Sequence, residues 1–205
     1  MCESATPSRV ERRMRQTAVN LTAVSRRLTA ERGLAGFTIE EVCDSVDVSR
    51  RTFFNYFASK EDAVIGANPD DEYRRFAEQF HARGAGEWPR VLNDLIDLAI
   101  EHIESEEMDP SVHTDLMAAL EREPRLLARF IGISRDRDRQ FRGLIANRQG
   151  VGENDPRVVA IVGILSSLMK SSADTFVDPV NDQDFATILT SSLAAMRLVL
   201  AVPTS

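Results

Sequence analysis

Apolar residues recur at spacings of three and four along nearly the whole chain, and no stretch alternates apolar with polar over strand length. That is the period of helices, so the pattern predicts an all-α fold of about nine or ten helices. Val10, Met14, Ala18, Leu21, Val24 and Leu28 trace one face of a first helix over residues 9–32, which Gly33 ends as a C′ residue. Two very short helices follow. Thr38-Ile39-Glu40-Glu41 has the form of a capping box, with Ile39, Val42, Cys43 and Val46 as the buried face behind it. Asp47-Val48 makes a tight connection, and Ser49 caps a second short helix reaching residue 55 or 56. Ser59 caps a third, with Glu61 and Asp62 in its acidic first turn, and Asn68-Pro69 is expected to break the helical run.

Beyond this point the predicted helices lengthen. Tyr73, Phe76, Ala77 and Phe80 mark one over 70–83, and Gly84 and Gly86 separate it from another over 87–104. Pro110 and Pro124 stand at N-terminal helix positions of segments reaching about 122 and 148. The Arg-Asp run within residues 135–142 reads as a solvated helix face with i,i+4 pairing. Two last helices are expected from Asp155-Pro156 to 176 and from Asn181 or Asp182 to 201. Gly163, Ser166, Ser167, Ser171, Ser191, Ser192, Ala194 and Ala195 are small enough to let helices approach closely. These two helices carry more apolar surface than one neighbour covers, which points to a homodimer interface; a monomeric bundle is the alternative.

At 205 residues, with 43% hydrophobic and 28% charged, the composition is that of a globular chain with room for two small domains. No apolar run is expected to reach the roughly 20 residues of a bilayer span, and residues 1–15 are polar and Arg-rich. A cytoplasmic protein with no membrane partner is the expectation. Cys2 and Cys43 have neither metal-ligand spacing nor a disulfide framework, and Cys43 reads as a core residue. The three histidines, His81, His102 and His113, belong to no HExxH motif, and there is no GxSxG and no Gly-rich phosphate loop. No enzyme, metal or cofactor is therefore expected. The net charge of −7 is unevenly divided: residues 1–60 hold ten Arg/Lys against seven Asp/Glu, and residues 61–205 hold fifteen against twenty-five. A basic end joined to an acidic body suits a molecule that meets DNA with one face.

The segment 37–64, FTIEEVCDSVDVSRRTFFNYFASKEDAV, is the most specific feature. A DNA-reading helix is short, held by a crossing partner, apolar behind and polar toward the groove. Ile39, Val42, Val46, Val48, Phe53 and Phe57 supply the shared core, while Arg50, Arg51, Thr52, Asn55 and Tyr56 project from other faces beside the Ser49 cap. Lys60 stands at a helix start, where a cation opposes the helix dipole unless a phosphate lies nearby.

The pattern Phe37-Thr38, Val48-Ser49-x-x-Thr52-Phe53 and Phe57-x-Ser59-Lys60-Glu61 resembles the N-terminal domain of the tetracycline-repressor (TetR) family. The resemblance covers about the first 67 residues. It implies a DNA-binding domain over 9–67 and a ligand-binding and dimerisation domain over 68–205, with the last two helices pairing across a homodimer. It implies that Ser49, Arg50, Arg51, Thr52, Asn55 and Tyr56 meet a palindromic operator, with Thr38 and Lys60 gripping the backbone. An arginine reading guanine O6 and N7 contributes about 1–3 kcal/mol of base discrimination. Phe54 stands where the family commonly has Tyr, and Asp47 where Gly is common. The resemblance further implies repression, and release by a small lipophilic effector bound in the body of the chain. Trp88, His102, His113, Met117 and Phe130 are either pocket lining or plain core. The competing readings are a ligand-independent architectural or chromosome-organising DNA-binding protein, and an adaptor whose helix-turn-helix no longer binds DNA.

Overall fold

The computed structural model describes residues 9–66, 70–104 and 109–200. Among them are ten α-helices, one 3-10 turn and no strand: α1 (Arg9–Arg32), the 3-10 turn (Leu34–Gly36), α2 (Ile39–Val46), α3 (Arg50–Tyr56), α4 (Lys60–Ile65), α5 (Asp70–Ala82), α6 (Trp88–Glu104), α7 (Pro110–Arg122), α8 (Pro124–Gln149), α9 (Pro156–Phe176) and α10 (Phe185–Leu200). The all-α expectation holds.

They form two compact units. The first joins α1–α4 to residues 111–131, which are α7 and the first turns of α8; the second holds α5, α6, the rest of α8, α9 and α10. The compact units thus depart from a simple cut near residue 67, which would leave α7 in the second segment. Side chains far apart in sequence account for its place. The Arg26 guanidinium, in α1, donates to the carbonyls of Val64 (2.8 Å) and Ile65 (2.9 Å), the last of α4, and to that of Val112 (3.4 Å) at the start of α7. Burial lowers the Arg26 pKa to about 10, with Asp115 opposing the shift. Glu123 accepts the Leu34 N–H at 2.8 Å, and Arg129 pairs with Asp62. Val64 is buried with Leu116, Ala119, Leu120 and Leu126, and Met117 and Phe130 pack on that cluster.

In the second unit, Phe80, Val91, Leu95, Ile145, Val158, Ile161 and Leu189 lie in one core. An ionic knot holds the loop between α5 and α6. Arg148, with its side chain 1% exposed, pairs with Asp94, donates to the Gly84 carbonyl at 2.6 Å and lies over the Phe80 ring at 4.2 Å. Arg83 reaches Asp94 at 3.3 Å, and Gln149 exchanges two hydrogen bonds with the Gly86 backbone. Burial pushes the Asp94 carboxyl up, but hydrogen bonds and charge from Arg148 and Arg83 outweigh it and hold the group below the usual carboxylate range.

Three expectations are corrected here. The fourth helix stops at Ile65, where Gly66 takes φ 97°, ahead of Asn68-Pro69, which lie outside the described residues. The last helix starts at Phe185 rather than near 181, because Asp184 accepts the Thr187 N–H at 2.7 Å while Asn181 bonds the loop at Phe176 and Gln183. And α9, of 21 residues, is by length and composition apolar enough to cross a membrane, with a mean hydropathy of 1.3 over an 18-residue window. Its Val158, Ile161, Val162, Leu165 and Leu168 are buried in the core of the second unit.

Candidate nucleic-acid interface

Local side-chain to backbone bonds set α2 and α3 at their crossing. Thr38 Oγ1 accepts the Glu41 N–H at 3.2 Å and Glu41 accepts the Thr38 N–H at 2.7 Å, so the capping box is complete. That backbone bond holds the Glu41 carboxyl below its usual range. α2 ends at Asp47, whose φ of 55° and ψ of 50° are left-handed; it is the one non-glycine residue with positive φ among those described. The left-handed step lets the Val48 N–H return to the Cys43 carbonyl at 3.0 Å and turns the chain into α3. Ser49 Oγ then accepts the Thr52 N–H at 3.0 Å and bonds the Thr52 hydroxyl at 2.8 Å.

Phe53, 0% exposed, anchors α3 among Leu21, Val42, Cys43 and Phe57. Full burial of such a side chain contributes about 1.5–3 kcal/mol, enough to hold a seven-residue helix too short to persist alone. With Phe53 inward, Arg50, Arg51, Phe54 and Asn55 face outward. Arg51 and Asn55, four residues apart, share a stripe, and neither has a hydrogen bond or ion pair among the described residues. Arg50 is engaged: it pairs with Glu40 at 2.6 Å and its guanidinium lies 5.6 Å from the Phe54 ring centre. Both ends of that pair are exposed, so it contributes at most about 1 kcal/mol and a guanine or phosphate can replace Glu40.

Of the expected site residues, the fold gathers Ser49, Arg50, Arg51, Thr52, Asn55 and Tyr56 on one short helix and its cap. Thr52 and Tyr56 are half-buried. Thr38 and Lys60 are placed differently. The Thr38 hydroxyl is committed to its cap. Lys60 reaches back across α2: its Nζ donates to the carbonyls of Leu34 and Phe37, the latter at 2.8 Å, and lies 4.6 Å from the Phe37 ring centre. The cation at the start of α4 therefore has internal partners, and the dipole argument for a phosphate beside it loses its force.

Sequence reasoning passed over Arg9 and Arg13. They line an open groove of about 560 Å³ between the first turns of α1 and the α2–α3 turn, opposite Ser49, Thr52 and Tyr56. Their signal was their i,i+4 spacing on the first turns of an otherwise amphipathic helix. Of the five residues considered for an effector pocket, three pack on the apolar cores of their own units. Met117 and Phe130 belong to a core of the first unit; Trp88 packs on the core of the second and lies under Arg157 at 4.6 Å.

The profile of the family described as "Bacterial regulatory proteins, tetR family" matches residues 21–64, from within α1 through α4. The HTH-type transcriptional regulator TcmR of Streptomyces glaucescens is 30% identical over 164 residues, covering 76% of this chain and 72% of TcmR. The chain belongs to the TetR family of transcriptional regulators. Among solved structures, the TetR-family regulator PfmR of Thermus thermophilus is similar at a TM-score of 0.46 and 12% identity, covering 90% of this chain and 99% of PfmR. The TetR-family repressor FadR of Thermus thermophilus, solved in complex with lauroyl-CoA, has a TM-score of 0.40 and 21% identity, covering 92% of this chain and 97% of FadR. As a TetR regulator, the chain carries its helix-turn-helix in α2 and α3, within the matched span.

Proposed function

We propose that this TetR regulator is a homodimeric repressor that binds a palindromic operator through α3 and is released by a small lipophilic effector. The observation that carries the reading is the outward stripe of α3: Arg51 and Asn55, with Arg50 stacked on Phe54, stand exposed on a helix whose back is locked by Phe53. Arginine presents paired donors to guanine, and asparagine pairs with adenine in the same way. Ser49 and Thr52 are the phosphate contacts in this reading, and Lys60 acts chiefly by holding the 3-10 turn.

Functionally, residues 9–67 are the reading head and 68–205 the effector and dimerisation body. Support for the dimer comes from α9 and α10, where Val159, Gly163, Ser167 and Ser171, then Ser191, Ala195 and Leu198, are exposed. Leu198 and Val199 are 76% and 73% exposed, adjoining apolar side chains of the kind a partner helix would cover. A dimer sets two α3 helices against half-sites about one DNA turn apart, roughly 34–36 Å. Effector binding that changes this separation opposes DNA binding by linkage. The site of action is the cytoplasm, at the nucleoid.

Selection from a random duplex pool, followed by gel shift, tests the reading. The expected product is a two-fold symmetric motif bound by a dimer, with Arg51→Ala and Asn55→Ala each costing about 1–3 kcal/mol at one base position. Absence of any duplex binding at low salt overturns it. Native mass spectrometry of protein purified from its host addresses the effector: a retained lipophilic molecule that dissociates the DNA complex is the expected result.

A further inference from the structure

The first turns of α1 present a concentration of positive charge that the fold does not use. Arg9, Arg12 and Arg13 are exposed and form no ion pair among the described residues. They stand at the positive end of their own 24-residue helix, where each cation is unfavourable by about 0.3–1 kcal/mol. Arg9 and Arg13 are four residues apart and share one wall of the groove with Thr17. The groove is lined from the other side by Ser49, the cap of α3, and by Thr52 and Tyr56 of that helix. Asp47 is the acidic member of the lining. Val10 and Met14, 67% and 52% exposed, complete the α1 wall with apolar surface.

We propose that this groove is a second DNA contact: Arg9 and Arg13 clamp the sugar-phosphate strand bordering the major groove that α3 enters. The inference rests on the reading of α3 as the recognition helix. Two guanidinium groups along one wall match successive phosphates, the one hydroxyl of the Ser49–Thr52 pair that does not donate to the other is left to donate to a phosphate oxygen, and Val10 and Met14 meet deoxyribose rather than charge. α1 thereby supplies affinity without sequence information and fixes the depth at which Arg51 and Asn55 meet the base edges. The charge unfavourable to α1 in the free protein is neutralised when DNA is bound.

The test is the Arg9→Gln/Arg13→Gln double variant. Its binding to a duplex selected by the wild-type protein, and to random-sequence duplex, is followed from 50 to 300 mM salt. A charge-matched Arg27→Gln/Arg125→Gln variant, altered at exposed positions outside the groove, serves as control. Loss of two phosphate contacts lowers the slope of log affinity against log salt by about 1.8 per protomer, which is about 30-fold in affinity at 0.15 M. Both duplexes are affected alike, and the selected motif is unchanged. Circular dichroism melts verify the fold, with the two single variants as a second reading at half the slope change. A slope equal to that of wild type, or an equal fall in the control, overturns the clamp and leaves the α3 reading intact. A wild-type protein that binds no duplex at 50 mM salt overturns both.

Discussion

Replacing Lys60 by Met separates two roles that the same residue has when read from sequence and from structure. The substitution keeps the aliphatic stem and removes the ammonium that donates to the Leu34 and Phe37 carbonyls beside the Phe37 ring. A hydrogen bond from a charged donor contributes about 1.5–3 kcal/mol when its partner is left buried, and a half-exposed cation over an aromatic ring about 0.5–1 kcal/mol. Against this stand relief of the unfavourable cation at the start of α4, about 0.3–1 kcal/mol, and access of water to the freed carbonyls. Lys60 is half-buried, so the lower ends of these ranges apply, and the expected net loss is about 2 kcal/mol. For a chain of this size that corresponds to a fall of roughly 4–8 °C in Tm. The assay is urea unfolding at constant m-value, paired with DNA binding well below the transition. A stability within about 0.5 kcal/mol of wild type, with the salt slope lowered by about 0.9 per protomer, refutes the structural role and restores the phosphate contact.

Two further outcomes follow from the geometry. Asp47→Gly relieves the left-handed backbone at φ 55° and removes a carboxylate beside the DNA-facing groove. A Tm unchanged or raised, by less than about 1 kcal/mol in stability, should accompany tighter binding to all duplexes. Weaker binding in gel shift contradicts it. Asp94 has a lowered pKa in the folded state, so its contribution is present above the ordinary carboxyl pKa and is lost as pH falls through the lowered value. Asp94→Asn should therefore destabilise the second unit near pH 7 and reduce the loss of stability below about pH 4, as followed by thermal melts at each pH. An acid limb identical to that of wild type excludes Asp94 as a contributor.

The features legible in sequence are those whose partners lie within a few residues. The Thr38–Glu41 capping box and the Ser49 and Ser59 caps form as predicted, and Asp155, expected with Pro156 to start a helix, caps it through the Arg157 N–H, because a cap is completed inside one helical turn. The start of α10 was misplaced for the same reason: Asn181, Asp182 and Asp184 are all competent caps, and loop hydrogen bonds of Asn181 selected the last of them.

Sequence by itself thus determined the helical class, the order of the short helices at residues 38–65 and the polar set on α3, since apolar period and capping chemistry are local. Tertiary structure decided where the long side chains end. Lys60 turns inward to Leu34 and Phe37, Arg50 lies between Glu40 and Phe54, and Arg26 joins α1 to α4 and the start of α7. It also placed Arg9 and Arg13 across from α3, which begins at Arg50 far along the chain. A flexible cation with several partners within reach is assigned by the packing of the backbone that presents them, and spacing along one helix carries no record of that choice.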